Sequence, residues 1–210
     1  MENNSSLGYS NKLYRLGDSW SQVQTHRYPN DLNHSYHIAE HYKLEYVNVG
    51  YGGAACFDVL TQLISIMFDC KKGDMLLVGI PNLSRVGYMD DEDNYISSAL
   101  YSNEQLLKMK SVELITNTKL QFVINKNIVH QINKILYELK KRGTKVYTMF
   151  NDEQGYFKTI NCIPIYFTHW IQERNWEDLS PKGNMHFVVG KQKDIAKGLI
   201  KLIDKIDNGK

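Results

Sequence analysis

The chain has little cysteine and little proline, with three of the first and four of the second among 210 residues. An odd cysteine count without close spacing supplies no disulfide framework. Cys56, Cys70 and Cys162 therefore read as free thiols, two of them in apolar surroundings. Long apolar runs are missing as well. No stretch approaches the ~18 consecutive apolar residues that cross a bilayer, so no membrane span is expected. Excess charge of one sign is also absent: the net charge is +2, and Lys140-Lys141-Arg142 is the sole basic triplet. Without a basic stripe, nucleic acid is not an expected partner. The amino terminus, Met1-Glu2-Asn3-Asn4-Ser5-Ser6, has no basic start followed by an apolar run. No signal peptide is expected, and the reading is a soluble protein, cytoplasmic by default.

What is present is enough apolar material for one well-filled domain, 42% of the chain against 23% charged. We read residues 1–210 as a single domain with a polar tail over 1–11. Leu13-Tyr14-Arg15-Leu16 and Tyr46-Val47-Asn48-Val49 read as strands, the second leading into Gly50-Tyr51-Gly52-Gly53 and a helix. Phe57, Leu60, Ile64, Met67 and Phe68 are expected on the buried side of that helix. Gly73-Asp74 turns the chain into Met75-Leu76-Leu77-Val78, whose continuous apolar character fits a central parallel strand. Residues 84–103 hold several tyrosines and the acidic run Asp90-Asp91-Glu92-Asp93, and read as an excursion loop. A helix is expected from Lys126, with Ile128, Val129, Ile132, Ile135, Leu136 and Leu139 inward and Gly143 as its stop. Lys145 to Phe150 is the next strand. Ile163 to Phe167 is a short segment that Pro164 confines to an edge or bulge. A last helix after His186 buries Ile195, Leu199, Leu202, Ile203 and Ile206. Alternating strands and helices predict an α/β fold, a three-layer α/β/α sandwich around a mainly parallel five-stranded sheet.

Candidate chemistry gathers where strands end. Gly17-Asp18-Ser19 follows the first strand and leaves a serine hydroxyl at the carboxyl edge of the sheet, where open α/β folds bind their ligands. The same residue types also make ordinary turns. Gly53 follows the second strand and Asn82 the third, so a parallel sheet brings all three loops to one edge. Ester hydrolysis through serine needs a nucleophile, a base and donors for the oxyanion. The backbone N–H groups of Ser19 and Gly53 and the amide of Asn82 are candidate donors.

These blocks resemble the SGNH, or GDSL, hydrolases, whose fold is a flavodoxin-like α/β/α sandwich. Gly17-Asp18-Ser19 is similar to the family's first block, which makes Ser19 the nucleophile. Asn48-Val49-Gly50-Tyr51-Gly52-Gly53 is similar to its second, with Gly53 an oxyanion donor. Gly79-Ile80-Pro81-Asn82 stands for the third, with one extra residue and Leu83 where the family has aspartate; Asn82 is its donor. Arg85 is reminiscent of divergent, often phage-encoded members, and with Tyr88 it is the candidate substrate-binding residue. His186, just before the last helix, corresponds to the base of the final Asp-x-x-His block. Gly183 replaces that aspartate, and losing such an acid costs ~10⁴ in turnover in a serine protease triad. Asn184, Asp178 or a backbone carbonyl remain as the group that orients His186. The resemblance implies a serine esterase that needs no cofactor and no metal. Its substrate would be a small-molecule or glycan ester, such as an acylated carbohydrate whose acyl group is hydrolysed off, as by a carbohydrate deacetylase. The altered blocks also admit a weak or inactive glycan-binding or structural module. A homo-oligomer and a virion assembly, with virion location if phage-encoded, are the assemblies left open.

Three other signals compete. Gly50-Tyr51-Gly52-Gly53-Ala54-Ala55 fits a dinucleotide fingerprint, but Asp69 and Asp74 precede the next strand where an acid should end it. His37 and His41 share a helix face at ligand spacing, but no glutamate stands next to the first of them and no cysteine is near, so a solvated face is expected. Asp90 to Asp93 lacks the spacing and glycine of a calcium loop.

Overall fold

Met75–Ile80 is buried at every position and occupies the middle of a five-stranded sheet. A strand covered on both faces needs no polar alternation, which is why it reads as a continuous apolar run. The computed structural model describes residues 10–17, 33–51, 54–81, 83, 87–89, 95–97, 118–150, 159–164 and 192–209. Within them lie β1 (Lys12–Leu16), α1 (His34–Tyr42), β2 (Glu45–Asn48), α2 (Cys56–Ile66) and β3 (Met75–Ile80). There follow β4 (Gly87–Met89), β5 (Tyr95–Ser97), α3 (Thr118–Lys141), β6 (Lys145–Phe150), β7 (Cys162–Pro164) and α4 (Gln192–Asp207). The sheet order is β2-β1-β3-β6-β7, and every pairing is parallel. The chain moves outward from β1 to β2, then returns past β1 to β3. That reversal puts a topological switch point between β1 and β3.

Two apolar clusters cover the two faces. Tyr14, Leu16, Leu76, Val78, Ile80 and Val146 point toward α2 and α3, where they meet Val59, Leu63, Val129, Ile132 and Leu136. Leu13, Met75, Leu77, Tyr147 and Met149 point the other way, toward Ile38 of α1 and Ile195, Leu199 and Ile203 of α4. The period-two alternation of β1, β3 and β6 thus feeds two cores. The sandwich is an α/β fold with four helices among the described residues, as the sequence predicts.

Three differences from the sequence reading have physical causes. In α2, Phe57 and Ile64 are 49% and 46% exposed, as is Phe68 just beyond it at 80%, while Leu60 and Met67 pack against the core; the buried side is Cys56, Val59, Leu63 and Ile66 with Asp58 and Gln62. Two stripes of equal period lie about 100° apart on this helix. The helix turns inward the stripe whose two polar members find partners. α3 begins at Thr118 rather than Lys126, because its first turns carry Leu120, Val123 and Ile124 outward instead of onto the sheet. The excursion over 84–103 holds a two-stranded antiparallel hairpin, β4 with β5, that pairs Tyr88 with Ile96.

The amino-terminal edge of the sheet is tied by Asp74. Its fully buried carboxylate accepts the N–H of Lys12 at 2.8 Å and of Lys71 at 2.9 Å. Both oxygens are occupied at the edge opposite the glycine-rich turn, and that turn follows the outermost strand, β2. Neither placement suits a dinucleotide site. No described helix is long and apolar enough to cross a membrane.

Candidate active site

The carboxyl ends of β1 and β2 are joined by backbone. Val49 and Gly50 both donate N–H to the Arg15 carbonyl, at 2.9 and 3.0 Å, and Tyr51 donates to the Gly17 carbonyl at 3.1 Å. Gly17 has a φ of 128°, a region that side-chain-bearing residues avoid. Gly50 lies flat against it: a Cβ there would sit 2.9 Å from the Gly17 oxygen. From α2, the Gln62 amide reaches Gly17 and accepts its N–H at 2.8 Å. The start of α2 also meets the end of β3, with Cys56 Sγ 4.0 Å from the Pro81 carbonyl oxygen. Gly17, Gly50, Tyr51, Cys56 and Pro81 are thus one connected frame around the switch point.

Asp58 organises the rim of this frame. One carboxylate oxygen accepts the Ala55 N–H at 2.6 Å, reaching back over the first turn of α2 as a capping residue does. The other accepts the Tyr51 hydroxyl at 2.5 Å. Partial burial, reinforced by this carboxylate, raises the Tyr51 phenol well above its ordinary range. Tyr51 therefore stays neutral, its hydroxyl proton committed to Asp58 and its ring 42% exposed.

Beneath the same edge, on the α1/α4 face, the structure buries a cation. Arg15 is fully enclosed, and its guanidinium donates to the carbonyls of Leu16 and, at 3.1 Å, Leu77. Gly79 makes the room, since a Cβ there would meet Arg15 Nη2 at 3.0 Å. Nearby, Gln192 Oε1 accepts both the backbone N–H of His34 at 3.0 Å and its Nδ1 at 2.9 Å. That carbonyl fixes the proton on Nδ1 and joins the first residue of α1 to the first of α4. Burial, and then the Arg15 charge, push the His34 imidazole down to about 3.

A pH dependence follows. Below the ordinary histidine value of about 6.5 the unfolded chain takes up a proton at residue 34 that the folded chain refuses, so stability falls as pH drops toward about 3. Denaturant titrations between about pH 6.5 and 5 should show His34 contributing a slope approaching ~1.4 kcal/mol per pH unit, and His34→Gln should remove that contribution. An unchanged slope in the variant would contradict the neutral assignment.

Ser19, Gly53, Asn82, Arg85, Asp178, Asn184 and His186 lie outside the described residues. Of Tyr88, the backbone is described, on β4. The described residues nearest three of them in sequence are Gly17, which follows β1 and stands two positions before Ser19, Ala54, which precedes α2, and Pro81, which follows β3. Sequence reasoning missed Gln62, Asp58 and Arg15. A signal existed for each: Arg15 is a charge inside an apolar strand run, and Asp58 and Gln62 are spaced to share the Cys56–Val59–Leu63 stripe. His37 pairs with Glu40 at 3.2 Å on the surface of α1.

An all-parallel sheet in the order β2-β1-β3-β6-β7, covered by helices on both faces, is an α/β fold that solved structures share. Protein YxiM from Bacillus subtilis superimposes with a TM-score of 0.54 at 13% identity, over 94% of this chain and 57% of its own. The psychrotrophic esterase EstA from Pseudoalteromonas sp., solved inhibited by monoethylphosphonate, superimposes with a TM-score of 0.52 at 12% identity, over 94% of this chain and 99% of its own. The chain thus spans a little over half the length of YxiM and nearly all of EstA. No protein-family model matches the sequence, and no curated protein matches it.

Proposed function

We propose that the protein is a serine ester hydrolase of the SGNH type. Ser19 attacks the ester carbonyl, His186 takes its proton and returns it to the leaving alcohol, and a water activated by His186 releases the acyl group. The N–H groups of Ser19 and Gly53 and the Asn82 amide hold the oxyanion. Arg85 and Tyr88 contact the substrate, an acyl ester for which acylated sugars are the first class to screen. The carrying observation is the frame that joins the ends of β1, β2 and β3. Covalent geometry keeps consecutive Cα atoms about 3.8 Å apart. Ser19 is two residues beyond Gly17, Gly53 adjoins Ala54 and Asn82 adjoins Pro81. Gly17 and Pro81, the described residues nearest Ser19 and Asn82 in sequence, belong to that frame, which supports the reading.

The test is reaction of the purified protein with a fluorophosphonate, read by intact mass. Stoichiometric labelling that disappears in Ser19→Ala is expected. A folded protein that takes no label would overturn the reading. It would favour the second one, a glycan-binding or structural module such as a virion component, for which Leu83 and Gly183 at the family's aspartate positions speak.

A further inference from the structure

We propose that Gln62 is a positioning residue for the nucleophile, holding the peptide from which Ser19 is presented; the inference rests on the reading of Ser19 given above. Gly17 lies just beyond the strand registers. β1 pairs with β2 from Lys12 to Arg15 and with β3 from Leu13 to Leu16, so the next peptide group has left both ladders. The Gly17 carbonyl still accepts the Tyr51 N–H at 3.1 Å, and Gln62 supplies the partner of the Gly17 N–H while adding a second donor to the carbonyl. Its Oε1 accepts the Gly17 N–H at 2.8 Å and its Nε2 donates to the Gly17 carbonyl at 3.4 Å. One planar amide therefore engages both polar groups of one residue, as a neighbouring strand would. Because a backbone N–H only donates, the orientation of the amide is fixed by its partner.

Packing alone does not call for glutamine here. Gln62 is 5% exposed on the α2 face formed by Cys56, Val59, Leu63 and Ile66. An apolar residue would fill that place without the desolvation that a buried amide carries. The polar atoms instead find Gly17, which precedes Asp18-Ser19 directly. Gly50 presses on Gly17 from the β2 side and Tyr51 donates to its oxygen. Gln62 closes the remaining side. A nucleophile must hold its attack geometry to within about half an ångström, and an error near 1 Å costs ~10² in rate.

The experiment uses the full chain. Gln62→Met keeps volume and apolar packing and deletes the clamp. Its fluorophosphonate labelling rate and its kcat on p-nitrophenyl acetate should fall about 10- to 100-fold, with KM within about two-fold of the parent. In ¹⁵N-glycine spectra, the Gly17 amide of the parent should exchange slowly with solvent and that of the variant quickly. A folded variant labelling at the parental rate overturns the inference and leaves Ser19 standing. Fast Gly17 exchange in the parent overturns it without recourse to any variant. A parent that takes no label removes the Ser19 reading and this inference with it.

Discussion

Replacing Ser19 or His186 with alanine should remove ester turnover to the same extent, and replacing both should cost no more than replacing one. In the proposed mechanism the two groups act on a single proton, so once either is gone the other has nothing to do. Such non-additivity is the signature of a catalytic unit. The size of the loss is itself informative. In a serine protease with a complete triad, removing the serine or the histidine costs about 2 × 10⁶ in kcat, whereas replacing the orienting aspartate by asparagine costs ~10⁴. A protein that lacks that acid starts some four decades lower, so His186→Ala should then cost only about 10². A loss near 10⁶ would show that an acid reaches His186 after all, and Asp178→Asn should reproduce about 10⁴ of it. We expect the smaller loss and an Asp178→Asn variant close to the parent. The measurement is kcat on an activated phenyl ester for the three single variants and the double variant. Loss in Ser19→Ala but none in His186→Ala would reject the histidine as base.

Much of the architecture was legible because it depends on short-range pattern. Lys145 to Phe150 forms β6 as expected, and the stripe of Ile195, Leu199 and Ile203 on α4 is buried. In both, local periodicity and core direction agree. Gly143 ends α3 with a φ of 91°, the backbone state that glycine adopts without strain. The facing of α2 was legible only in part: Leu60 and Met67 pack against the core as expected, whereas Phe57 and Ile64 face outward. The partner of its buried Gln62 is a residue 45 positions away, and no local window contains it. Burial of Arg15 was hidden for the same reason: its place depends on the missing side chain of Gly79 on a neighbouring strand. The glycine-rich turns themselves were visible, but the sequence does not say which glycine serves a substrate and which serves another backbone. For Gly50 the structure answers that question.

Gly50→Ala should lower activity far more than stability. The added Cβ would stand 2.9 Å from the Gly17 oxygen and 3.1 Å from its nitrogen, and contacts that short are relieved only by movement of backbone. Neither side moves freely. Gly50 is bonded to Arg15 and Tyr51 to Gly17 on the β2 side, while Gln62 holds Gly17 from α2. Relief of overpacking of this kind costs about 1–3 kcal/mol in stability. The same displacement carries the residue two positions before Ser19 away from the place its donors share, where an error near 1 Å removes ~10² of rate. The expected result is therefore a cooperative unfolding transition at modestly lower denaturant, a labelling rate and kcat down about 100-fold, and KM nearly unchanged. Gly79→Ala separates the effect by direction. Its Cβ meets the Arg15 guanidinium, on the face of the sheet opposite Gln62, so it disturbs the β1–β3 seam from below while leaving the Gly17–Gly50 contact in place. Gly79→Ala should therefore lose more stability for each decade of activity lost than Gly50→Ala. Equal labelling by Gly50→Ala and the parent would mean that the Gly17–Gly50 contact has no part in presenting the serine.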